Sequence, residues 1–517
     1  MIDGTGNYTA PSGAQSVTVT VTATSAKDRT KSASATVNVV AQGQVAATDN
    51  VQVALYSISP AAGGNVSVQF GLDTNYALTT WTQPVPSTGG PVTIFVAGMK
   101  GNTLYHMRGV VQFSDGTQYM DPDLTFTTGA YPTAQVPSIA ATTTAGMTPQ
   151  SGVELLDLVS GGATVAPAVI TDLEGNILWS YNPGVAAILN PIKLLPNGHI
   201  MMNFSQNGAD GTGSILQEVD LSGKLIWQLT AADLNTALAA ASCAGCNITV
   251  IGTHHDFVML PNGHLILLAS TQETISGTTL TGDVLIDLDE NHHPVWLWNQ
   301  FDHLDTSRHP MGTTDWTHSN AVIYSPDDGN LIVSIRHQNW LVKVNYNNGA
   351  GAGDIVWKLG YQGDFTLAGG TDPTDWFYAQ HGPSFVTANT TGQFSLIVFD
   401  NGNDRTLPTG QVQCVTTASS SCYSTVPVLQ IDETAKTATL AFHETLSGFS
   451  YFGGNAEVLK NGNVEFCATT GPEVREVTQD SNATVVWRIH ASMDSTGALP
   501  FLYRGQRIPS MYPGVQW

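Results

Sequence analysis

The chain has 517 residues, which is more than one compact domain usually contains, so two or three domains are expected. Only 11% of the residues are charged, yet 42% are hydrophobic, and this apolar content excludes a disordered chain. The 41 acidic residues outnumber the 18 basic ones and give a formal charge of −23, which argues against nucleic-acid partners and against binding to an anionic membrane surface.

The first predicted unit is a small β module. Residues 1–45 contain two segments, 16–22 and 33–40, in which apolar and polar side chains alternate as they do in half-buried strands. The unit resembles the C-terminal part of a bacterial Ig-like module. We expect it to act as a spacer or support, because such folds carry a function only at particular sites.

The second predicted unit, residues 46–130, is a β-sandwich. Strand patterns at 66–70, 92–96 and 104–113 lie between turns rich in Gly, Pro and Asn, and the unit resembles a fibronectin type III domain. Residues 131–149 are rich in Ala, Pro and Thr, which predicts a linker between this sandwich and the remainder of the chain.

Two motifs repeat through residues 150–517. The first is an apolar strand end, an Asn-Gly or Asp-Gly hairpin turn and a second apolar strand. It occurs at 193–200, 258–265, 322–331 and 457–464. The second is an acidic turn followed by a strand that ends in Trp. It occurs at 172–179, 220–227, 287–296, 347–357 and 480–487.

This repeat predicts an all-β fold, a six-bladed β-propeller, for residues 150–517. Units of about four strands follow one another at about 60–70 residues, which is typical of propellers with long loops. Five units are complete, and the strands at 150–182 are predicted to form the sixth blade together with the C-terminal stretch 501–517. We find no sustained helical periodicity, so no helix is expected.

The residues that precede the first strand of successive blades are candidates for a functional site. His254, His255, His318 and His381 stand at nearly the same position of three consecutive repeats, so they should face one mouth of the central channel. Arg336 follows His318 by the length of a strand, a turn and a returning strand, which brings it back to the same mouth. Histidines in register with an arginine favour a site over isolated turn residues.

These residues carry a resemblance to a known family, the bacterial aryl-sulfate sulfotransferases. The matching segments are 253–257 with 260–263, then 315–320, 334–338, 380–382 and 399–402. The resemblance implies transfer of a sulfuryl group from a phenolic sulfate ester to a phenolic acceptor by a ping-pong mechanism, through a sulfohistidine. It implies no cofactor, no metal and no nucleotide sulfate donor.

The resemblance also assigns roles position by position. His381 matches the nucleophile, while His318, Asn320 and Arg336 match the residues that hold the sulfuryl oxygens. The remaining channel histidine is His254 or His255, and both are kept because loop lengths leave the alignment open. Such a site would bind one small aryl sulfate despite the acidic surroundings of the chain.

Two other functions are compatible with the residues. The histidine cluster, completed by Asp256 or a neighbour, could ligate a metal in a propeller lyase or hydrolase, although Arg336 beside it disfavours a dication. Alternatively, the propeller could be a non-catalytic extracellular binding protein. The oligomeric state stays open, and a homo-oligomer is possible.

The composition also predicts the compartment. Few lysines, many Thr, Ser, Gly and Asn, and short alternating strands are typical of exported bacterial proteins, so a secreted or periplasmic location is expected, with any signal peptide absent from this numbering. No apolar run approaches the roughly 18 residues of a membrane-spanning helix, so no membrane insertion is expected. In an oxidising compartment we expect a disulfide between Cys414 and Cys422, whereas the Cys243-Cys246 pair has no partners for a zinc site.

Overall fold

The computed structural model describes the chain almost entirely as β-structure. The residues it describes are 16–159, 166–185, 188–206, 211–412, 414, 421–492 and 501–517. Residues 1–15 of the predicted Ig-like module therefore lie outside the described residues. Within the described residues the one α-helix is α1 (Ala231–Ala240), which the sequence did not predict. It begins at a capping box in which Thr230 and Asp233 hydrogen-bond each other's backbone N–H groups.

The N-terminal strands form a hairpin and two facing sheets. They are β1 (Val17–Thr24), β2 (Ser32–Val39), β3 (Gln44–Ala47), β4 (Ala54–Ile58), β5 (Gly64–Gly71), β6 (Leu78–Thr79), β7 (Gln83–Val85), β8 (Val92–Val96), β9 (Leu104–Phe113), β10 (Gln118–Met120) and β11 (Leu124–Thr127). Strands β1 and β2 coincide with the two alternating segments and pair with each other. Strands β3, β4 and β8 form one sheet and β5–β7 and β9–β11 the other, and their apolar faces share one core.

The remaining strands build a series of antiparallel sheets. They are β12 (Ser138–Thr143), β13 (Val153–Val159), β14 (Ala168–Thr171), β15 (Ile177–Tyr181), β16 (Ile188–Leu194), β17 (Ile200–Ser205), β18 (Ile215–Val219), β19 (Leu225–Thr230), β20 (Gly252–Met259), β21 (Leu265–Ile275), β22 (Thr278–Leu288), β23 (Pro294–Asn299), β24 (Ser319–Ser325), β25 (Asn330–Ile335), β26 (Trp340–Val344), β27 (Ile355–Leu359), β28 (Thr366–Ala368), β29 (His381–Thr390), β30 (Gln393–Phe399), β31 (Thr406–Leu407), β32 (Gly410–Gln411), β33 (Thr425–Asp432), β34 (Thr437–Thr445), β35 (Asn455–Val458), β36 (Val464–Ala468), β37 (Glu473–Val477), β38 (Val485–Ser492) and β39 (Phe501–Ile508).

In the described part of the chain these strands form six sheets of four or five strands, besides a β31–β32 hairpin. In spatial order they are sheet A (β39, β13, β14, β15), sheet B (β16–β19), sheet C (β20–β23), sheet D (β24–β27), sheet E (β29, β30, β33, β34, β28) and sheet F (β35–β38, β12). The first strand of each sheet contacts the first strand of the next from β16 through β35, and β39 contacts both sheet F and β16. The leading residues of these strands are thereby brought together.

The two repeated motifs have structural roles. Gly198 and Gly263 occupy the hairpin turns with φ of 80° and 86°, a left-handed conformation that favours glycine. The outer-strand tryptophans pack between neighbouring sheets and bond across the gap. Trp179 Nε1 donates to the carbonyl of Leu221, and Trp487 Nε1 donates to that of Leu173. Each of these bonds ties an outer strand to a turn of the adjacent sheet.

Sheets A and F, the first and the last of the series, each contain a strand from a distant part of the sequence. Strand β12, within the segment predicted as a linker, pairs with β38 at the outer edge of sheet F, while the C-terminal β39 pairs with β13 in sheet A. Arg507 of β39 reaches Glu154 of β13 at 2.8 Å, Glu465 of β36 at 2.8 Å and Glu476 of β37 at 3.3 Å. All four side chains are buried, so this closing cluster holds one cation against several carboxyl groups.

Replacing Glu465 with glutamine is expected to flatten the pH dependence of stability. Burial raises the pKa of Glu465 well above its ordinary value, and burial raises that of Glu154 to about 7. The folded state therefore keeps protons that the unfolded state releases, so stability is full below the unfolded pKa and falls as pH rises. Relative to the wild type, we expect the free energy of unfolding of this variant to fall less as pH rises above the ordinary glutamate pKa of about 4.3, because the histidines contribute equally in both proteins.

Urea unfolding at several pH values measures this slope. The control is Glu290→Gln, because the Glu290 side chain is 67% exposed and its partner, Nε2 of His264, lies 3.8 Å away. An unchanged slope in the Glu465 variant would show that the closing cluster does not retain the proton.

Candidate active site

The four predicted histidines lie at the leading ends of consecutive first strands. His254 and His255 lie in β20, His318 directly precedes β24, and His381 begins β29. His255 and His318 have left-handed backbones with φ of 60° and 47°, a conformation uncommon for residues other than glycine and frequent at functional sites. The structure therefore brings all four together, as their register predicted.

His254 and His255 form a relay that ends on a carboxylate. The two Nδ1 atoms are 2.7 Å apart, and Nε2 of His254 lies 3.0 Å from Oδ1 of Asp283. The other oxygen of Asp283 accepts hydrogen bonds from Thr317 and Ser319, so the carboxylate acts as an acceptor throughout. His254 then donates from Nε2 and accepts at Nδ1, and His255 donates from Nδ1 and keeps a lone pair on Nε2.

The ring of His255 faces the cluster, and His254 lies behind it. The rings of His255 and His318 meet edge to face with centroids 4.9 Å apart. His254 contacts His255 and Asp283 and is only 2% exposed. Of the two alternatives that the sequence left open, His255 is the residue placed against the other histidines.

A second group surrounds His318. Its Nδ1 lies 2.5 Å from Oδ2 of Asp315, and its ring stacks on His337 with centroids 4.6 Å apart. Arg336 donates from Nη1 to Nε2 of His337 at 2.6 Å, and His337 in turn donates from Nδ1 to the Asp315 carbonyl. Arg336 is thus held beside His318, as the strand pairing predicted, and its buried Nε has no hydrogen-bond partner among the described residues.

His381 is fixed in one tautomer by an amide. Its Nδ1 lies 2.6 Å from Oδ1 of Asn401, whose Nδ2 donates to the carbonyls of Ser450 and Gly453. Because the amide nitrogen is committed to two acceptors, the amide oxygen faces His381 and Nδ1 must carry the proton. Nε2 of His381 is left with its lone pair.

The glycine after His381 permits this placement. Gly382 has φ of 48°, and a Cβ added there would lie 2.5 Å from the Cβ of Asn455 in the next sheet. A larger residue would therefore displace β35 or the turn that presents His381.

Burial keeps the central imidazoles neutral. It lowers the pKa of His381 well below the ordinary value, and the charge of Arg336 lowers it further. Burial likewise lowers the pKa of His255, with His318, His254, His381 and Arg504 adding to the shift. Burial opposes ionisation of Asp315, but the charge and hydrogen bond of His318 outweigh it and lower the pKa of that carboxyl. The cluster thus pairs unprotonated imidazoles with permanent positive charge.

Asn320 and Arg504 also lie beside the histidine cluster and contact each other. Asn320 donates from Nδ2 to the carbonyl of Gln380 at 2.6 Å, and its backbone carbonyl accepts from Arg504 at 2.8 Å. Arg504 also lies 3.4 Å from Asp256, which bonds Lys193 at 2.6 Å. Arg504, Asp256 and Lys193 line a cavity of about 190 Å³ between the first strands of the six sheets, and the described lining of this cavity does not include the histidines.

The residues that could ligate a metal in the structure differ from the predicted set. Asp256 is engaged by Lys193 and Arg504, so it does not complete a ligand set with the histidines. Asp315, His318 and His337 do offer ligand atoms within 4.8 Å of one another. However, the guanidinium of Arg336 occupies Nε2 of His337, and a cation next to the cluster disfavours a dication there by Coulomb repulsion.

An aromatic wall flanks the cluster on the side of Arg336 and His381. The half-buried rings of Tyr451, Phe452 and Phe501 follow one another with centroid separations of 5.2 Å. The carbonyl of Tyr451 accepts a hydrogen bond from Arg336. The predicted disulfide Cys414–Cys422 is present and packs on this wall through Phe449 and Tyr451, and a second disulfide joins Cys243 to Cys246. These contacts fix the wall against the site.

Several site residues were not predicted. Asp315 and Asn401 lie within the motifs that carried the resemblance, but only the fold shows which atoms they contact. Asp283 lies in β22, the third strand of its sheet, and nothing in its sequence context marks it. Arg504 depends on the pairing of β39 with β13, which joins residues more than 300 positions apart.

An all-β scaffold that gathers unprotonated imidazoles beside guanidinium groups is suited to the transfer of an anionic group. The sequence profile of the Arylsulfotransferase (ASST) family matches residues 119–496. Because the match covers most of the chain, the chain belongs to the arylsulfotransferase family and is an aryl-sulfate sulfotransferase, with phenolic sulfates and phenols as its classes of substrate. No curated protein sequence matches the chain significantly.

Solved structures show only distant similarity. A Bacteroides caccae protein of unknown function is 12% identical with a TM-score of 0.40, covering 69% of this chain and 98% of its own. A streptogramin B lyase is 13% identical with a TM-score of 0.32, covering 68% and 97%. The WD40 domain of SCAP from fission yeast is 9% identical with a TM-score of 0.28, covering 88% of both chains. Among the described residues, no helix has the length and apolar character needed to span a membrane.

Proposed function

We propose that the enzyme moves a sulfuryl group from a phenolic sulfate ester to a phenolic acceptor by a ping-pong mechanism, through a sulfohistidine at His381. The observation that carries this proposal is the state of that imidazole. Asn401 holds the proton on Nδ1, and burial with the nearby charge of Arg336 keeps the ring neutral. Nε2 is therefore an available nucleophile at neutral pH.

In the first half-reaction, Nε2 of His381 attacks the sulfur of the aryl sulfate. The N–S bond forms as the S–O bond to the aryl group breaks, and the bond electrons leave on the phenolate oxygen. In the second, the acceptor oxygen attacks the same sulfur, the N–S bond breaks and His381 returns to its starting state. Sulfuryl transfer should resemble phosphoryl transfer, with charge spread over three oxygens of a loose transition state.

Polar groups beside His381 stabilise that charge, and Arg336 supplies a permanent positive charge among them. Arg336 offers a guanidinium with a buried, unpartnered Nε, and His318 is oriented by Asp315 at its Nδ1. Asn320 offers an uncharged amide, one of whose N–H groups is engaged by Gln380. Preorganised donors in a buried site are worth more than in water, because they need no reorganisation during the reaction.

Replacing Arg336 with methionine is expected to lower kcat by about 10²–10³-fold, because one fixed cationic donor to the developing charge is lost. The effect is measured with a nitrophenyl sulfate donor and a phenol acceptor. The matched control is Arg308→Met, since Arg308 lies over the Trp340 ring at 4.0 Å rather than in the histidine cluster. An equal decrease in kcat in both variants would show that Arg336 has no specific role in catalysis.

His255 is the base that accepts the proton of the acceptor phenol. The free Nε2 of His255 carries the lone pair, and its Nδ1 proton is held by His254, which is held in turn by Asp283. A positive charge on His255 is therefore spread toward a carboxylate. His255 then releases this proton to solvent and returns to its neutral state, and the phenolate that left in the first half-reaction takes a proton from solvent.

The aromatic wall is the binding surface for the aryl groups. Tyr451, Phe452 and Phe501 present half-buried rings next to the groups that hold the sulfuryl oxygens. Stacking on such rings binds phenols of varied structure and does not depend on a particular substituent. One such surface can bind the aryl group of the sulfate donor and that of the phenol acceptor.

The six sheets are the blades of a six-bladed β-propeller that spans residues 150–517. Their order and the contacts between their first strands support this count. We assign the Ig-like module to residues 1–45, of which 16–45 are described, and the fibronectin type III-like module to 46–130. The segment 131–149 joins these modules to the propeller and adds strand β12 to the edge of sheet F. The two disulfides support a secreted or periplasmic location.

Steady-state kinetics with nitrophenyl sulfate and phenol tests the proposed function. We expect release of nitrophenol to depend on phenol, with parallel double-reciprocal lines as either substrate is varied. Release without phenol at the full rate would indicate a sulfatase, and intersecting lines would contradict the ping-pong mechanism.

A further inference from the structure

Tyr503 is a buried phenol beside both central histidines. It lies in β39, adjacent to Arg504, and is only 3% exposed. Its ring meets that of His255 edge to face with centroids 5.6 Å apart, and that of His381 with centroids 6.3 Å apart. It therefore lies between the proposed nucleophile and the proposed base.

The hydroxyl of Tyr503 is the unusual feature. It is buried, and although the guanidinium of Arg504 acts on its oxygen, its own proton has no acceptor among the described residues. Buried tyrosine hydroxyls normally have a partner, since an unpaired one costs the free energy of its lost hydration. The buried Nε atoms of Arg336 and Arg504 also lack partners, and the charges of both guanidinium groups act on His381. An anionic group transferred at His381 would supply acceptor oxygens beside these donors.

We propose that the Tyr503 hydroxyl donates a hydrogen bond to an oxygen of the transferring sulfuryl group. This inference rests on the proposed function, because it assigns a further donor to the same reaction. No bond to Tyr503 forms or breaks, and its proton stays on the phenol oxygen. Tyr503 is in this sense a catalytic residue that touches the reacting group.

A role as the acid for the leaving phenolate fits less well. Burial raises the pKa of Tyr503 above that of an ordinary phenol, although Arg504 opposes the shift. Proton transfer from Tyr503 to an ordinary phenolate would therefore run uphill. A group that keeps its proton throughout is suited to donate to an oxygen that stays negative in both half-reactions.

Tyr503→Phe separates this role from a structural one. Phenylalanine retains the ring, and the proton of the lost hydroxyl has no protein acceptor, so the variant is expected to unfold at a temperature no lower than the wild type. We expect kcat to fall by about 10²-fold, as when one oxyanion donor is removed. The loss should be the same for a nitrophenyl sulfate and for a phenyl sulfate with a poorer leaving group.

Tyr346→Phe is the matched control, because the buried Tyr346 hydroxyl donates to Asp287 at 2.7 Å in the interior of the fold. We expect the opposite pattern there, namely lower stability and unchanged kcat. Tyr503→Phe with unchanged kcat, or with reduced stability, would overturn the proposal. A loss confined to the poorer leaving group would assign Tyr503 to acid catalysis instead. If the proposed function itself fails, the wild-type enzyme shows no phenol-dependent transfer, and the two failures are thereby distinguished.

Discussion

His381→Ala is expected to lower kcat for sulfuryl transfer by at least about 10⁴-fold, the scale seen when a covalent nucleophile is removed. The physical reason is that the covalent route is lost outright. His318 and Arg336 would still bind the sulfate, so the affinity for the donor should change far less than kcat. The measurement is steady-state turnover of nitrophenyl sulfate with saturating phenol.

The matched control for this variant is His293→Ala. The His293 side chain is 73% exposed on a turn of sheet C, away from the cluster. The His293→Ala variant should keep wild-type turnover. The melting temperatures of both variants should equal that of the wild type. Turnover by His381→Ala within about tenfold of wild type would show that the acceptor attacks the donor directly, without a covalent nucleophile.

Arg507→Met is expected to be the most destabilising substitution outside the site. Arg507 is the one cation that contacts Glu154, Glu465 and Glu476 in the buried closing cluster, among the described residues. Methionine fills a similar volume but leaves the negative charge that this cluster still carries at neutral pH without a countercharge. Removal of one partner from a buried ion pair typically costs about 3–5 kcal/mol, and we expect a loss of at least that size at neutral pH.

The loss should shrink as pH falls, because protonated carboxyl groups no longer need Arg507. Urea unfolding at neutral and at mildly acidic pH measures both effects. Arg488→Met is the matched control, since Arg488 is exposed on β38 in the same part of the fold and donates a hydrogen bond from Nε to Thr142. Equal stability of the two variants at neutral pH would show that the cluster does not secure the closure between β13, β39 and sheet F.

The sheet series could be predicted because its signals are local. The turns at Gly198 and Gly263 and the outer-strand tryptophans recur within each sheet, and each sheet pairs neighbouring strands. The pairing of the C-terminal stretch with the strands after residue 150 was also predicted, because those strands lacked an inner partner. By contrast, β12 adds to an edge of sheet F through backbone bonds, which leave little trace in a sequence rich in Ala and Thr.

Helix α1 was missed for a related reason. It is only ten residues long, and its buried side chains are Leu234 and Leu238, one turn apart. Two apolar positions are too few to establish a helical period. The capping box at Thr230 and Asp233 was the available signal.

The sequence could predict which strands bring the site histidines together. It could not predict which of His254 and His255 faces the site, or the tautomer of His381. His318 and His381 begin successive first strands, so their meeting follows from the repeat alone. The choice between His254 and His255 does not, because the pairing of β20 shifts register between Thr253 and Phe257 and breaks the alternation of side chains. The tautomer of His381 required Asn401 in three dimensions.

The negative charge of the chain is compatible with this site. A formal charge of −23 opposes the approach of extended polyanions. Arg336 and Arg504 nevertheless lie together beside the neutral imidazoles, so one small aryl sulfate meets a locally positive environment. The acidic exterior and the anionic substrate are therefore reconciled by where the few arginines lie.

The most direct test of the sulfohistidine is to trap it. The wild-type enzyme is mixed with nitrophenyl sulfate in the absence of a phenol, quenched in base, digested and analysed by mass spectrometry. We predict a burst of one nitrophenolate per enzyme and one added SO₃ group on the peptide that contains His381, which phenol removes. An unmodified His381 peptide despite full phenol-dependent transfer would contradict the mechanism proposed for this enzyme.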